Sequence, residues 1–105
     1  MVGYMDTSEE APIFEWDEGK NQLNQDRHGV SFEQARRAFS DPDRMIFADR
    51  DHSIDEDRFF CVGWAGGGVM TVRFTYRDKR IRIFGAGYWR RGKRIYDDGR
   101  RSLHR

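Results

Sequence analysis

The chain has 105 residues and a mass of 12.5 kDa, with 35% charged and 37% hydrophobic residues, a size and balance that admit one compact domain with a small core. An aromatic content of 14% excludes a globally disordered polymer. The formal net charge of +1 excludes a uniformly basic nucleic-acid binder, yet residues 1–57 carry six Lys/Arg and fifteen Asp/Glu while residues 58–105 carry thirteen and three.

Residues 1–12 show no periodicity and read as a flexible leader. Ile13–Trp16 is a short aromatic and β-branched run, and Asp17 directly after it is placed to cap a helix from about Glu18 to Arg27. That helix is poor in apolar residues, chiefly Leu23, and should end at His28–Gly29, where glycine supplies the left-handed position. Ser31 with Gln34 matches a capping box, and Phe32, Ala35, Ala38 and Phe39 share a helical face before Asp41–Pro42 stops the turn. Four β-rich runs follow: Met45–Asp49, Arg58–Trp64, Val69–Arg77 and Ile81–Gly87. Gly66–Gly67–Gly68 reads as a hairpin turn, since it lacks the Lys-Ser/Thr ending and following helix of a phosphate-binding loop. Asp78–Lys79–Arg80 closes a second hairpin. A basic terminal helix spans Arg90 to about Arg101, with Ile95 and Tyr96 as its apolar contacts, Asp97–Asp98–Gly99 as a point of interruption or ending, and residues 102–105 as a flexible tail.

The order gives an α+β fold: a short N-terminal strand and two helices packed on an antiparallel sheet of about four to five strands, with a C-terminal helix. Residues 13–101 form the single domain. Cys61, the lone cysteine, lies in an apolar run and reads as a small buried residue. No run approaches the length of a transmembrane helix, so a cytoplasmic location is expected.

His28, His52 and His104 are scattered, and the acidic run Asp49, Asp51, His52, Asp55, Glu56, Asp57 lacks calcium-loop spacing, so no metal and no cofactor are expected. Glu56 or Asp57 should instead pair with a basic strand. Arg73, Thr75 and Arg77 alternate with Val72, Phe74 and Tyr76, which makes one strand face cationic and the other apolar. Arg82 follows on the next strand. Tyr88 and Trp89 offer flat surfaces for bases beside Arg90, Arg91 and Lys93, the combination that binds single-stranded RNA; equally, both aromatics could finish the core. Cleavage by the RNA 2′-hydroxyl needs a base, a cation for the phosphorane charge and an acid. Arg73, Arg77 and Arg82 are candidates for the cationic role, and Lys93 and Tyr76 for proton transfer, with His and carboxylates chemically admissible.

An ordered set of motifs from Phe14 to Tyr96 resembles the BrnT family of toxins from bacterial type II toxin–antitoxin systems. It comprises Phe14–Glu15–Trp16–Asp17 with Lys20 and Asn21, His28–Gly29–Val30 with Phe32, Ala35 and Phe39, and Asp41–Pro42. Asp51–His52–Ser53, Glu56 with Arg58 and Gly63, Val72–Arg77, and Arg82–Ile83 complete it. Where many members carry Ser-Ala-Arg, this chain has Gly85–Ala86–Gly87 followed by Tyr88–Trp89–Arg90, so it resembles a Gly-Ala-Gly-Tyr-Trp-Arg branch in which Arg82, Arg90 or Arg91 must serve for the arginine absent at Gly87. The resemblance implies a RelE-like ribonuclease that inhibits growth by cutting RNA and is neutralised by a ribbon-helix-helix antitoxin, BrnA-like, with promoter DNA bound only through the antitoxin complex. The alternative is a catalytically silent RNA- or protein-binding module of the same fold. Pairing of the acidic half of one copy with the basic half of another would give a dimer.

Overall fold

A computed structural model describes residues 11–103; most of the expected leader, together with His104 and Arg105 of the expected tail, lies outside the described residues. Strand β1 (Ile13–Glu15) leads into helix α1 (Glu18–His28), whose first turn is capped by Asp17, with Oδ2 accepting from the Lys20 N–H at 2.9 Å. Gly29, at φ 72°, ends the helix and donates its N–H to the Gln25 carbonyl. The capping box forms as expected: Ser31 Oγ accepts from Gln34 N–H while Gln34 Oε1 accepts from Ser31 N–H. Helix α2 (Phe32–Ala35) is only one turn long and tightens into a 3₁₀ turn, Arg36–Ser40, which carries Ala38 and Phe39 inward.

Helix α1 is held mainly by polar contacts, not by Leu23, which is 45% exposed. Asn21 and Asn24 are buried instead. Asn21 Oδ1 accepts from the Phe32 N–H at 2.8 Å, fixing the start of α2. Asn24 Nδ2 donates to the carbonyls of Val30 and Ala86, each at 2.9 Å, and its Oδ1 accepts from the Ala86 N–H at 3.2 Å. The Asn24 amide thus acts as a strand partner on an edge that β1 is too short to cover.

The remaining strands are β2 (Met45–Ala48), β3 (Arg58–Ala65), β4 (Gly68–Arg77) and β5 (Arg80–Gly87), in the sheet order β1-β5-β4-β3-β2. The β2–β5 meander is antiparallel, but the sheet as a whole is mixed because β1 pairs with β5 in parallel. Two helical segments carry the chain from β1 to the far edge, and three reversals bring β5 back in the direction of β1. Both hairpin turns fall where the sequence places them: Gly66 and Gly67 take positive φ, as do Asp78 and Lys79.

One sheet face carries Cys61, Met70, Val72, Phe74, Ile81, Ile83 and Ala86 against Val30, Phe32, Ala35, Ala38 and Phe39. Gly63 is required here, because a Cβ would lie 2.4 Å from the Ala38 carbonyl oxygen. Burial in this core pushes the Cys61 thiol up to about 12, consistent with its expected role as a small apolar residue. Across part of the opposite face lies α3 (Arg90–Leu103), with Tyr96 and Ile95 packed on Val62, Val69, Met45 and Phe47. Asp97–Asp98–Gly99 does not end this helix; the absent Gly99 side chain lets it pass against Met45. Asp41 anchors α3: its Oδ2 accepts from Tyr96 Oη at 2.5 Å and the Trp64 N–H at 2.7 Å, while its Oδ1 accepts from the Asp43 N–H. Burial and this bond push the Tyr96 phenol up to about 12. Partial burial raises the Asp41 carboxyl, but its hydrogen bonds and the Arg100 charge outweigh that and hold it below its ordinary value.

Candidate nucleic-acid interface

Among the described residues, helix α3 covers only one end of its sheet face, and what the register assembles on the rest is cationic and aromatic. One transverse row pairs Arg58 with Thr75, Thr75 with Arg82, and Arg82 with Glu15. The next pairs Phe47 with Phe60, Phe60 with Arg73, and Arg73 with Gly85. Between Arg73 and Phe74 the register shifts, so Phe84 is an extra residue on β5 opposite β4. Alternation from Arg82 puts Phe84 on the cationic face, where the Arg58 guanidinium sits 4.3 Å from its ring centroid and Lys20 Nζ 5.6 Å. At Gly85 no side chain intervenes, and a Cβ there would come only to ordinary contact distance, 3.9 Å, from Arg73 Cδ.

Two carboxylates at the margins steady four of the arginines. Glu15 lies 3.3 Å from Arg82 and 3.5 Å from Arg80; Glu56 lies 3.1 Å from Arg77 and 3.4 Å from Arg58. The Arg77 hydrogen bond and charge, joined by Arg58, hold the Glu56 carboxyl below its ordinary value. Glu56 is thus the acidic-loop residue that pairs with a basic strand. Arg73, between these pairs and half-buried, has no side-chain hydrogen bond or ion pair among the described residues. Thr75 is buried in the same row and donates to the Asp57 carbonyl, so it fixes the loop before β3.

Of the residues singled out from sequence, Arg73, Arg77 and Arg82 therefore share one face. Tyr76 stands on the other, its ring 5.3 Å from both Phe59 and Phe74. Lys93 is ion-paired with Asp97 at 2.7 Å and lines a groove with Gly66–Gly68, Tyr88, Trp89 and Arg90. Tyr88 donates from Oη to the Ala65 carbonyl at 2.7 Å and packs on Gly68, clasping the β3–β4 turn. Trp89 lays its indole over Gly87, where a Cβ would be 2.6 Å away, and meets His28 edge-on at 5.2 Å. The space beside Gly87 is thus filled by an aromatic ring. Arg91 borders a cavity of about 250 Å³ lined by Phe47, Phe60, Thr71, Trp89 and Ile95. Arg58, Phe60 and Phe84 join the site although sequence reasoning did not select them; the alternation of Arg58 with Phe60 and of Arg82 with Phe84 was visible, but the contact of Phe84 with Arg58 was not.

Among the described residues, no group of three or more His, Cys, Asp or Glu is arranged to hold a metal ion, and no helix is long and apolar enough to cross a membrane. The family model described as ribonuclease toxin, BrnT, of type II toxin–antitoxin system matches residues 16–92. No curated protein sequence matches the chain. The 1.1 Å crystal structure of the Brucella abortus ribonuclease toxin BrnT is similar in fold, with a TM-score of 0.59 and 21% identity over 75% of this chain and 97% of that one.

Proposed function

The chain belongs to the BrnT family of ribonuclease toxins of type II toxin–antitoxin systems, and from that premise we propose that it is a metal-independent endoribonuclease acting on the uncovered face of its sheet. The observation that carries the reading is the row Arg58–Thr75–Arg82 beside Phe60, Arg73 and Phe84: guanidiniums spaced between aromatic rings on a fixed sheet. Arginines give bidentate contacts to phosphate, and rings supply faces for unstacked bases. Arg73, with no carboxylate paired to it among the described residues, and Arg82 would take the charge that builds on the phosphorane when a 2′-hydroxyl attacks; that charge neutralisation is the work a metal would otherwise do. Arg90 and Arg91, at the start of α3, would hold flanking phosphates, and Trp89 would border the strand of RNA.

Growth inhibition follows from loss of RNA, and the partner that restrains it would be a ribbon-helix-helix antitoxin covering this face. Purified chain should cut single-stranded RNA in excess chelator, and its expression without a partner should slow growth. RNA left intact with chelator and with divalent metal alike would overturn the enzymatic reading. Intact RNA that is nonetheless bound would favour a silent RNA-binding module, for which the ring over Gly87 in place of an arginine is the specific observation.

A further inference from the structure

The cationic face needs a proton acceptor, and neither Tyr76, on the opposite face, nor Lys93, in its ion pair with Asp97, stands among its arginines. We propose that His52 is the general base and that Asp49 positions it, an inference that rests on the RNA-cleavage reading above. Asp49 follows β2, and its N–H donates to the Arg58 carbonyl at 2.7 Å, extending the β2–β3 pairing by one residue. Strand alternation places its side chain on the face of Phe47 and Arg58, where it is only 6% exposed. Both of its carboxylate oxygens meet His52 Nδ1, at 2.9 and 3.1 Å.

The surrounding backbone is locked. Ser53 Oγ donates to the Asp49 carbonyl at 2.6 Å and accepts from the Arg58 N–H at 2.9 Å. With the proton of Nδ1 directed at a buried carboxylate, the free lone pair of the neutral ring lies on Nε2, which has no partner among the described residues. The His52 side chain is 54% exposed and lines a cavity of about 460 Å³ together with Glu56, Arg58 and Arg77. A buried acid orienting a histidine that lines one cavity with two arginines is the geometry of an activating dyad.

In the step assigned to it, Nε2 takes the 2′-hydroxyl proton as O2′ bonds to the adjacent phosphorus. The P–O5′ bond breaks, and the leaving 5′-oxygen takes a proton from water. The products are a 2′,3′-cyclic phosphate and a 5′-hydroxyl, and the imidazolium returns its proton to the hydroxide formed, so the balance closes without an added reagent.

The test compares wild type with His52→Ala, His52→Asn and Asp49→Asn, measuring cleavage of a single-stranded oligoribonucleotide, its affinity, and the folded state by circular dichroism. His52→Asn retains an amide donor for Asp49 and lacks Nε2, so it separates chemistry from loop integrity. Loss of a general base is expected to slow cleavage about 10²-fold or more with affinity unchanged. Added imidazole should restore part of the rate to His52→Ala and none to His52→Asn. Asp49→Asn should lower kcat and leave KM in place, which loosening of the loop alone would not do. Wild-type cleavage rates in a folded His52→Asn protein would overturn the assignment and leave the nuclease reading standing; a wild-type chain that cuts no RNA would overturn both.

Discussion

Replacing Asn24 by Leu should be among the most damaging single changes outside the apolar core. The substitution is close in volume, but it removes two donated hydrogen bonds and one accepted one, at 2.9, 2.9 and 3.2 Å, in a site 7% exposed. It leaves the Ala86 N–H, the Ala86 carbonyl and the Val30 carbonyl without partners. Each buried orphan costs about 1–3 kcal/mol. With some relaxation the total is about 3–6 kcal/mol, against the roughly 5–15 kcal/mol that holds a domain of this size together. At roughly 4–8 °C per kcal/mol, the melting temperature falls by more than about 12 °C. Urea titration followed by circular dichroism measures the difference directly. The paired control is Leu23→Ala, one position earlier on α1 and largely exposed, which should stay within about 0.5 kcal/mol of wild type. An Asn24→Leu protein within 1 kcal/mol of wild type, or a Leu23→Ala protein equally damaged, would refute the claim that polar contacts anchor this helix.

Tyr96→Phe should cost about 1.5–3 kcal/mol, the range for a hydrogen bond to a charged group. The Tyr96 pKa is raised from 10.0 to about 12, so its contribution is full below about pH 10 and is lost as pH rises toward 12; stability curves of the variant should lack that alkaline step. The Asp41 carboxyl is lowered, so its contribution is full above its ordinary value of 3.8 and is lost as pH falls below it, which acid titration of Asp41→Asn should show by a flatter profile. Gly63→Ala should destabilise by about 1–3 kcal/mol, read by thermal unfolding, because its methyl would press on the Ala38 carbonyl at 2.4 Å. RNA affinity should fall with salt, and Arg73→Ala should reduce the slope of log K against log salt by about 0.7, the value of one phosphate contact on a single strand; an unchanged slope would remove Arg73 from the interface.

Much of the architecture was legible because its signals are local. Asp17, Gly29 and the Ser31–Gln34 pair marked helix ends by chemistry that acts over three or four residues, and the alternation of Val72, Phe74 and Tyr76 with Arg73, Thr75 and Arg77 separated two sheet faces. What escaped depends on contacts far apart in sequence. Asn24 looks like a surface residue until Ala86, 62 positions away, is found beside it. Phe84 reads as one more apolar strand residue until the folded sheet sets it beside Arg58 from β3. His52 reads as part of a solvated acidic loop, because sequence order does not reveal that Asp49 is buried or that Arg58 and Arg77 border the same cavity. The parallel pairing of β1 was equally hidden, since three residues carry no mark of which strand they join.

On the proposed function, fixed arginines on the open sheet face cut RNA rather than only hold it. Single-turnover cleavage of a single-stranded oligoribonucleotide in excess chelator, by wild type and by folded Arg82→Ala, tests it most directly. Wild type should cleave the RNA and the variant should lose about 10²-fold or more of the rate, the scale of removing one group that stabilises developing charge. RNA that wild type binds and leaves whole, or equal cleavage by both proteins, would contradict it.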